Sequence, residues 1–431
     1  MNLPGSPFLA RDGDRLCLDG IDLATLGQRF GTPLYVYSQA AMLDALARYR
    51  HALAGRKHLI CYAMKANSNL AVLQTFAAAG CGFDIVSGGE LARVLAAGGR
   101  ADRIVFSGVG KTAAEMEQAL LAGVRCFNVE SVSELRRLSG VAASIGRVAP
   151  VSLRVNPDVD AGTHPYISTG LRDNKFGIAH EQALDAYRLA ASLPGLRVIG
   201  IDCHIGSQIT QTAPYLDALD KLLDLVETIG RDGITIEHVD VGGGLGITYT
   251  DEQPPRAEAL VAQLLARMDA RGHGHRELLL EPGRSLVGNA GVLLTEVLYL
   301  KPGATKNFCI VDAAMNDLMR PALYDAWMAI EPVQSRELQA LRWDVVGPVC
   351  ESGDWLGRER ELAIAEGDIL AVLSAGAYGM AMASNYNSRP RAAEVMITSG
   401  EAVLVREREQ VTQLCAGERL LPMESAPESG D

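Results

Sequence analysis

Residues 58–67 read HLICYAMKAN, in which an apolar, strand-forming run is directly followed by Lys65. Seven more short runs rich in apolar and β-branched residues follow, at 82–86, 103–107, 125–129, 151–155, 198–204, 236–241 and 278–281. Segments with helical apolar periodicity lie between most of them, at 70–79, 89–97, 113–121 and 215–229. Strands that alternate with helices are parallel, and eight such units over about 225 residues match a (β/α)8 barrel. A doubly wound open sheet alternates in the same way, so periodicity favours the barrel without excluding the sheet.

After about residue 285 the pattern changes to strand-like runs without long helices. These runs lie at 291–300, 307–311, 343–349, 368–372, 393–397 and 402–405, separated by Gly, Pro and Asp. Such spacing is typical of an all-β sandwich or Greek-key-like barrel. Two strand-like runs before the barrel, 15–18 and 35–37, are candidates to join that sheet. We expect an α/β chain with a (β/α)8 barrel at 37–285 and a β domain formed by 1–36 and 286–431.

Composition excludes several classes of partner. The 431 residues are 48% hydrophobic and 21% charged, with a formal net charge of -12. An acidic chain with dispersed Lys and Arg argues against nucleic acid or an anionic membrane as its main partner. We find neither a secretory signal nor an apolar stretch long enough for a membrane helix. The eight cysteines show no CxxC or CxxH spacing, which indicates a reducing, cytoplasmic location without disulfides or a metal site.

Chemically active residues follow the ends of most predicted barrel strands. They are Lys65 after the first, Asp84 and Ser87 after the second, Asn156 after the fifth, His204, Gly206 and Ser207 after the sixth, Gly242, Gly243 and Gly244 after the seventh, and Glu281, Pro282, Gly283 and Arg284 after the eighth. Barrel active sites form at this carboxyl-terminal rim. Packing alone does not account for so many groups on one rim.

Each group also has an ordinary structural interpretation. A glycine run most often marks a tight turn, although loops after strands seven and eight commonly bind phosphate through backbone N–H groups. Lys65 fits a surface lysine, or a partly desolvated amine suited to a Schiff base. Glu281 fits a carboxylate that bridges strands, or the acidic partner of a pyridinium nitrogen. His204 fits a core histidine, or a ring that lies against a cofactor, and Arg284 is placed to bind phosphate or a substrate carboxylate.

Four segments carry a family resemblance, which runs in order from about residue 30 to 400. They are YAMKAN (62–67), CHIGSQ (203–208), the triple glycine at 242–244 and EPGR (281–284). Together they resemble the alanine racemase-like family of pyridoxal-phosphate (PLP) decarboxylases, which have a barrel and a C-terminal β domain. The resemblance implies Lys65 as the Schiff-base lysine, His204 stacked on the ring, Ser207, Gly243 and Gly244 near the phosphate, and Glu281 on the ring nitrogen. We also expect Asp84, Pro282, Gly283, Arg284 and Tyr378 at the cofactor site.

Segments of the β domain resemble the diaminopimelate-specific members of this family. MNDLMRPALY (315–324) implies Arg320 and Tyr324 as substrate contacts together with Arg284, and GAYGM (376–380) places Tyr378 near phosphate and substrate. CESGD (350–354) implies Cys350 as the proton donor and Glu351 as the ligand of the distal amino group. Both residues reach the partner's active site in that family, which implies a homodimer with shared sites. A loop at 161–177, with His164, Lys175 and Gly177, resembles a flexible family loop without residue roles assigned.

Charge supports the same substrate, because diaminopimelate carries an amino group and a carboxylate at its distal end. A bidentate arginine suits the carboxylate and a glutamate suits the ammonium. Ornithine and lysine have no distal carboxylate, and Arg320 would repel their ammonium. The expected reaction is therefore decarboxylation of meso-2,6-diaminopimelate to L-lysine and CO2. Rival hypotheses are a decarboxylase of ornithine, arginine, lysine or a carboxylated polyamine, a racemase, and a non-catalytic PLP carrier or regulatory homologue. Without the resemblance, Arg320 fits a surface salt bridge and Cys350 a buried thiol.

Overall fold

A computed structural model describes residues 3–162 and 174–422 of the chain. Its strands are β1 (Leu9–Asp12), β2 (Arg15–Leu18), β3 (Ile21–Asp22), β4 (Leu34–Ser38), β5 (His58–Ala63), β6 (Gly82–Ile85), β7 (Ile104–Phe106), β8 (Cys126–Val129), β9 (Ala149–Asn156), β10 (Ile178–Ala179), β11 (Leu196–Asp202), β12 (His238–Asp240), β13 (Glu277–Leu280), β14 (Gly291–Lys301), β15 (Phe308–Val311), β16 (Ile330–Pro332), β17 (Leu341–Val346), β18 (Trp355–Leu362), β19 (Ile369–Val372), β20 (Ala393–Thr398) and β21 (Glu401–Arg406).

The helices alternate with the strands in the first two thirds of the chain. They are α1 (Leu23–Phe30), α2 (Gln39–Ala52), α3 (Leu70–Ala78), α4 (Gly88–Ala96), α5 (Ala113–Ala122), α6 (Val132–Ser144), α7 (His180–Ser192), α8 (Ala213–Arg231), α9 (Ala257–Ala270), α10 (Arg284–Val287) and α11 (Arg320–Tyr324). Among the described residues no helix is both long enough and apolar enough to cross a membrane.

Eight parallel strands close into a barrel, as expected from the sequence. The order is β5-β6-β7-β8-β9-β11-β12-β13, and β13 pairs in parallel with β5 to complete the ring. Strands such as β6, β7 and β8 are buried along their whole length, because the lumen covers one face and the helices cover the other. Closure excludes the open doubly wound sheet. All carboxyl ends of the strands, and the residues that follow them, therefore meet at one rim.

The β domain combines both ends of the chain. Its main sheet has the order β18-β17-β15-β14-β4-β20-β21, and β19 pairs with β14 and β16. Strand β4 lies antiparallel to β14 and parallel to β20, which confirms that the run at 35–37 joins the C-terminal sheet. The run at 15–18 does not join it as a strand, because β2 pairs with β1 and β3 in a separate three-stranded sheet. The expected boundaries after residues 36 and 285 remain a proposal, since β4 continues to Ser38 and β14 begins at Gly291.

The structure contains elements that the sequence pattern did not indicate. Strand β18 reads WLGREREL and carries exposed charges at Arg358, Glu359 and Glu361, because it is the edge strand of its sheet. Helix α2 begins at the Ser38 cap, whose side chain accepts from Ala41 N at 2.9 Å. This helix packs against α9 and α10 and covers the barrel beside its first strand. All eight cysteines are free, and six of them are buried.

Candidate active site

A cavity of about 510 Å3 opens at the carboxyl-terminal rim of the barrel, against the β domain. Its volume is in the range of small-molecule sites. The structure brings seven of the predicted site residues into its lining, namely Lys65, His204, Ser207, Arg284, Arg320, Tyr324 and Tyr378. Tyr249, which the sequence did not single out, also lines it.

Lys65 occupies a short helical turn, Met64–Ala66, directly after β5. Its Nζ donates to Asp84 Oδ2 at 2.5 Å, from a side chain that is 37% exposed. Burial alone would lower the pKa of the Lys65 ammonium, but the carboxylates of Asp84 and Glu281 outweigh it, so the pKa is raised. The Oδ1 atom of Asp84 is buried and has no hydrogen-bond partner among the described residues. The amine is therefore held at the cavity wall by one carboxylate.

The glycine run after β12 packs so closely that side chains are excluded. A Cβ on Gly243 would overlap the Glu281 carbonyl, and one on Gly244 would overlap the Gly206 carbonyl. Gly242 and Gly244 also adopt φ of +69° and +98°, which glycine tolerates best. Gln208 fastens this loop to the neighbouring one, since it donates to Ile247 O at 2.7 Å and accepts from Ile247 N at 3.1 Å. The result is a rigid backbone cradle of the kind that suits phosphate.

His204 lies beside this cradle, half-buried at the rim. The backbone N–H of Gly243 donates to its Nδ1 at 3.1 Å, so the ring proton is on Nε2. Burial, together with the positive charges of Arg154 and Lys65, lowers the pKa of His204 well below its usual range. The ring is therefore neutral and fixed in one tautomer, which fits a stacking surface better than a cationic group.

Glu281 is nearly fully buried directly after β13. Its Oε1 accepts from Asn128 Nδ2 at 3.3 Å. Burial and the carboxylates of Asp240 and Asp84 raise the pKa of Glu281 well above its usual range. Pro282 and Gly283 hold this segment against β5, because Ala63 N donates to Pro282 O at 3.1 Å and Gly283 packs on Ala63. A cation beside Glu281 would offset this burial and repulsion and favour the ionised carboxylate.

Two arginines share one wall of the cavity. Arg284 Nη1 donates to Tyr249 Oη at 2.5 Å, and its Nη2 donates to Ser207 Oγ at 3.0 Å. The Arg284 guanidinium also lies 4.8 Å from the Tyr378 ring centroid. Arg320 is 7% exposed, and its guanidinium lies 4.6 Å from the Tyr249 ring centroid. Tyr249 therefore lies in contact with both positive charges.

Arg320 carries a buried charge with no opposite charge beside it in the part of the chain that the structure describes. No carboxylate of the described ranges 3–162 and 174–422 lies within 4.0 Å of its guanidinium nitrogens. Burial, with a smaller contribution from Arg284, lowers the pKa of Arg320 although Tyr249 opposes the shift. Buried charges are normally paired, so this cavity wall is suited to an anionic group of a ligand.

Cys350 and Glu351 lie elsewhere, on an exposed turn of the β domain. Asn387 Oδ1 accepts from Cys350 N at 2.8 Å, and Glu351 Oε1 accepts from the Tyr386 hydroxyl at 2.6 Å. Neither residue lines the cavity of its own chain. The interpretation of Cys350 as a buried thiol is therefore wrong. Part of the loop at 161–177, including His164, lies outside the described residues.

Sequence reasoning missed four polar residues around the site, namely Arg154, Asp202, Asp240 and Tyr249. Asp202 and Asp240 end β11 and β12 inside the barrel, and Arg154 on β9 forms an ion pair with Glu130 at 3.3 Å. The signal for Asp202 and Asp240 was their position, directly before the Cys203-His204 motif and two residues before Gly242. Tyr249 follows the glycine run by only a few residues. Ser87, in contrast, caps helix α4 by accepting from Glu90 N at 3.2 Å.

Comparison of the sequence with protein families identifies the class of protein. Residues 39–288 match the family described as "Pyridoxal-dependent decarboxylase, pyridoxal binding domain". This match covers more than half of the chain, and the chain belongs to the pyridoxal-dependent decarboxylases.

Relatives within that family are more specific. The chain is 58% identical over 415 residues to the diaminopimelate decarboxylase of Pseudomonas aeruginosa, covering 96% of this chain and 99% of the relative. The structure superposes with a TM-score of 0.93 on the M. jannaschii diaminopimelate decarboxylase in co-complex with L-lysine, at 39% identity, covering 97% and 99% of the two chains. The Helicobacter pylori enzyme complexed with L-lysine gives a TM-score of 0.88 at 41% identity, covering 92% and 99%.

Proposed function

We infer that this chain is a diaminopimelate decarboxylase, which converts meso-2,6-diaminopimelate to L-lysine and CO2 as the last step of lysine biosynthesis. The observation that carries the choice of substrate is buried Arg320, which has no carboxylate partner among the described residues and faces the same cavity as Lys65. The test is CO2 release from meso-diaminopimelate compared with ornithine, lysine and arginine, with added PLP. Faster release from a substrate that has no distal carboxylate would contradict the assignment.

The residues on the rim fit PLP. The glycine cradle leaves no room for a Cβ, the Lys65 amine lies at the cavity wall, and Glu281 offers a buried acidic group for a cation. When bound, PLP supplies an electron-accepting ring for the electron pair that remains after CO2 leaves. We propose that Lys65 holds the cofactor covalently, that His204 packs on the ring, and that Glu281 binds the ring nitrogen. Asp84 orients the Lys65 amine.

The remaining cofactor and substrate contacts follow from the cavity walls. Ser207, Gly243, Gly244 and Tyr378 are proposed to surround the phosphate, with Pro282 and Gly283 holding the segment before Arg284. Arg284, Arg320 and Tyr324 are proposed to bind the distal end of the substrate, where the two guanidinium groups attract its carboxylate. The β domain closes the mouth of the barrel over the scissile bond and reduces the access of water to it.

We propose that the chain acts as a homodimer with shared active sites, located in the cytoplasm, where thiols like its eight cysteines stay reduced. Cys350 and Glu351 are exposed and lie outside their own cavity. A second subunit that packs with its 350–354 turn toward the cavity would supply both. Cys350 of the partner subunit would then protonate the carbon that lost CO2, and Glu351 of the partner subunit would bind the distal ammonium.

Coexpression of two inactive variants should restore activity if sites are shared. Lys65→Ala and Cys350→Ala chains with different tags should form a doubly tagged dimer with one intact site, and so about half of the wild-type activity. The measurement is CO2 release by the doubly purified dimer. A dimer of two differently tagged Lys65→Ala chains is the control and should be inactive. No recovery in the mixed dimer would place Cys350 at its own chain's site, whereas wild-type activity of the Cys350→Ala homodimer would place it outside the reaction.

Replacing Tyr249 by phenylalanine should weaken substrate binding more than turnover. The change removes the hydroxyl that accepts from Arg284 but keeps the ring beside Arg320. Loss of one hydrogen bond to a charged group predicts a KM for diaminopimelate raised about 10-fold, with kcat changed less. Tyr187→Phe is the matched control, because that hydroxyl donates to Gly200 O at 2.8 Å from helix α7 outside the cavity. Equal kinetics in the two variants would remove Tyr249 from the site.

A further inference from the structure

Three carboxyl groups meet inside the barrel beneath the cavity. Asp202, Asp240 and Glu281 follow one another around the ring at the ends of β11, β12 and β13. An oxygen of each lies within 4.8 Å of the other two, and the residues are between 0% and 5% exposed. This carboxyl trio is therefore close-packed and shielded from water.

The hydrogen bonds of the trio leave oxygens without partners. Asp240 Oδ1 accepts from Gly242 N at 2.8 Å, whereas its Oδ2 is buried and unpaired among the described residues. Asp202 Oδ1 is buried and unpaired in the same part of the chain. Buried carboxylate oxygens without donors are unfavourable, and a proton on one carboxyl would supply a donor to the next. The geometry therefore calls for a proton between Asp240 Oδ2 and its neighbours.

The charges around the trio do not neutralise it. The groups that face it include Asp84 on β6, Lys65 after β5, Glu130 after β8, Arg154 on β9 and the thiols Cys61, Cys126 and Cys203. Lys65 is bonded to Asp84, and Arg154 is bonded to Glu130. Burial and neighbouring carboxylates raise the pKa of Asp240 to about 7, and they raise the pKa of Asp202 and of Glu281 as well. Carboxyls this close titrate as a coupled group rather than singly.

We propose that Asp240 and Glu281 hold one proton between them, so that Asp240 is a positioning residue that sets the charge and orientation of Glu281. This inference rests on the proposed role of Glu281 at the ring nitrogen. Asp240 suits it because its other oxygen is fixed by Gly242, at the start of the glycine cradle. One side chain thus connects the two proposed anchor points of the cofactor, its phosphate and its ring nitrogen. A divalent cation is a poorer occupant, because protonated carboxyls are weak ligands.

The charge state is tested by infrared spectroscopy of the full protein, with and without added PLP. Wild-type protein without PLP should show the C=O stretching band of a protonated buried carboxyl at neutral pH. Asp240→Asn should remove one such band, because the amide carries no carboxyl proton. Asp344→Asn is the control. The Asp344 carboxylate lies in the β domain and accepts from Lys306 at 3.0 Å, so its replacement should leave the band unchanged. Absence of the band in wild-type protein, or its persistence in Asp240→Asn, would overturn the proposal.

The affinity of the protein for PLP tests the positioning role of Asp240, because a conservative substitution should keep that affinity and an apolar one should not. Asparagine can accept from Gly242 and donate to Glu281 as a protonated aspartic acid does, so Asp240→Asn should bind PLP within about 3-fold of wild type. Asp240→Leu can do neither and should bind at least about 10-fold more weakly. Equal affinities in the two variants would refute the role. If wild-type protein binds no PLP, the proposed function itself fails. A divalent ion that copurifies with wild-type protein in an amount equal to that of the protein, and that is lost in Asp240→Asn, would show that a metal and not a proton lies between the carboxyls.

Discussion

Lys65→Ala should abolish the visible absorbance of the bound cofactor and lower decarboxylation by at least about 1000-fold. The Lys65 amine, which we propose as the reactive nitrogen, lies at the cavity wall and donates to Asp84 at 2.5 Å. Alanine would remove both the proposed covalent attachment and the amine proposed to release the product. The measurements are the absorbance spectrum of protein reconstituted with PLP and the rate of CO2 release from diaminopimelate.

A matched control exists at the other end of the same strand. Lys57 is exposed and directly precedes β5, at the amino-terminal face of the barrel. Lys57→Ala should keep the spectrum and the rate of wild type, since it removes a lysine from the opposite face. An unchanged visible spectrum in Lys65→Ala would refute the assignment of the cofactor lysine, whatever the rate.

Arg320→Ala should lower kcat/KM for diaminopimelate by about 10- to 1000-fold, the range for loss of a buried partner of a charged pair. The guanidinium is buried and is bounded by Tyr249 and Met328. A distal carboxylate would find its counter-charge there, and alanine would leave that carboxylate buried opposite Arg284 alone. The effect should appear mainly in KM, because this contact is remote from the bond that breaks.

The substrate preference of Arg320→Ala distinguishes loss of the Arg320 contact from a general loss of stability. Turnover of L-lysine, which has no distal carboxylate, should not fall in Arg320→Ala, so the preference for diaminopimelate should narrow. Arg342→Ala is the control, because Arg342 is an exposed arginine of β17 whose partner Glu361 is also exposed. Wild-type kinetics in Arg320→Ala would remove the residue from the substrate site and favour its interpretation as a structural arginine.

The barrel was predictable because its signal is repeated eight times. Most barrel strands are short, apolar and followed by a helix, so errors at single strands do not change the count. The rim residues follow from the same count, since parallel strands place Lys65, His204 and Glu281 at one end. Strand β18 was missed because the exposed edge of a sheet carries charges, which obscure the apolar pattern.

Other parts of the site depend on contacts that one chain's sequence pattern does not contain. Asp202 and Asp240 look like ordinary strand ends, and only closure of the ring brings them beside Glu281. Tyr249 is part of the site because it contacts Arg284 and Arg320, which are located 35 and 71 residues further along the chain. Cys350 and Glu351 were recognised from a family resemblance, and the role proposed for their exposed turn requires a second subunit.

Strand β4 has a consequence for how the chain is made. It is synthesised within the first 38 residues, but its neighbours β14 and β20 emerge only after residues 291 and 393. Pairing across such separations is slow, because a long loop must close first. The barrel strands are joined in sequence, so the barrel can form on the ribosome while β4 is still unpaired. Completion of the cavity, which needs Arg320 and Tyr378 from the β domain, is therefore postponed until β20 has been made, and shorter chains cannot assemble the whole cavity.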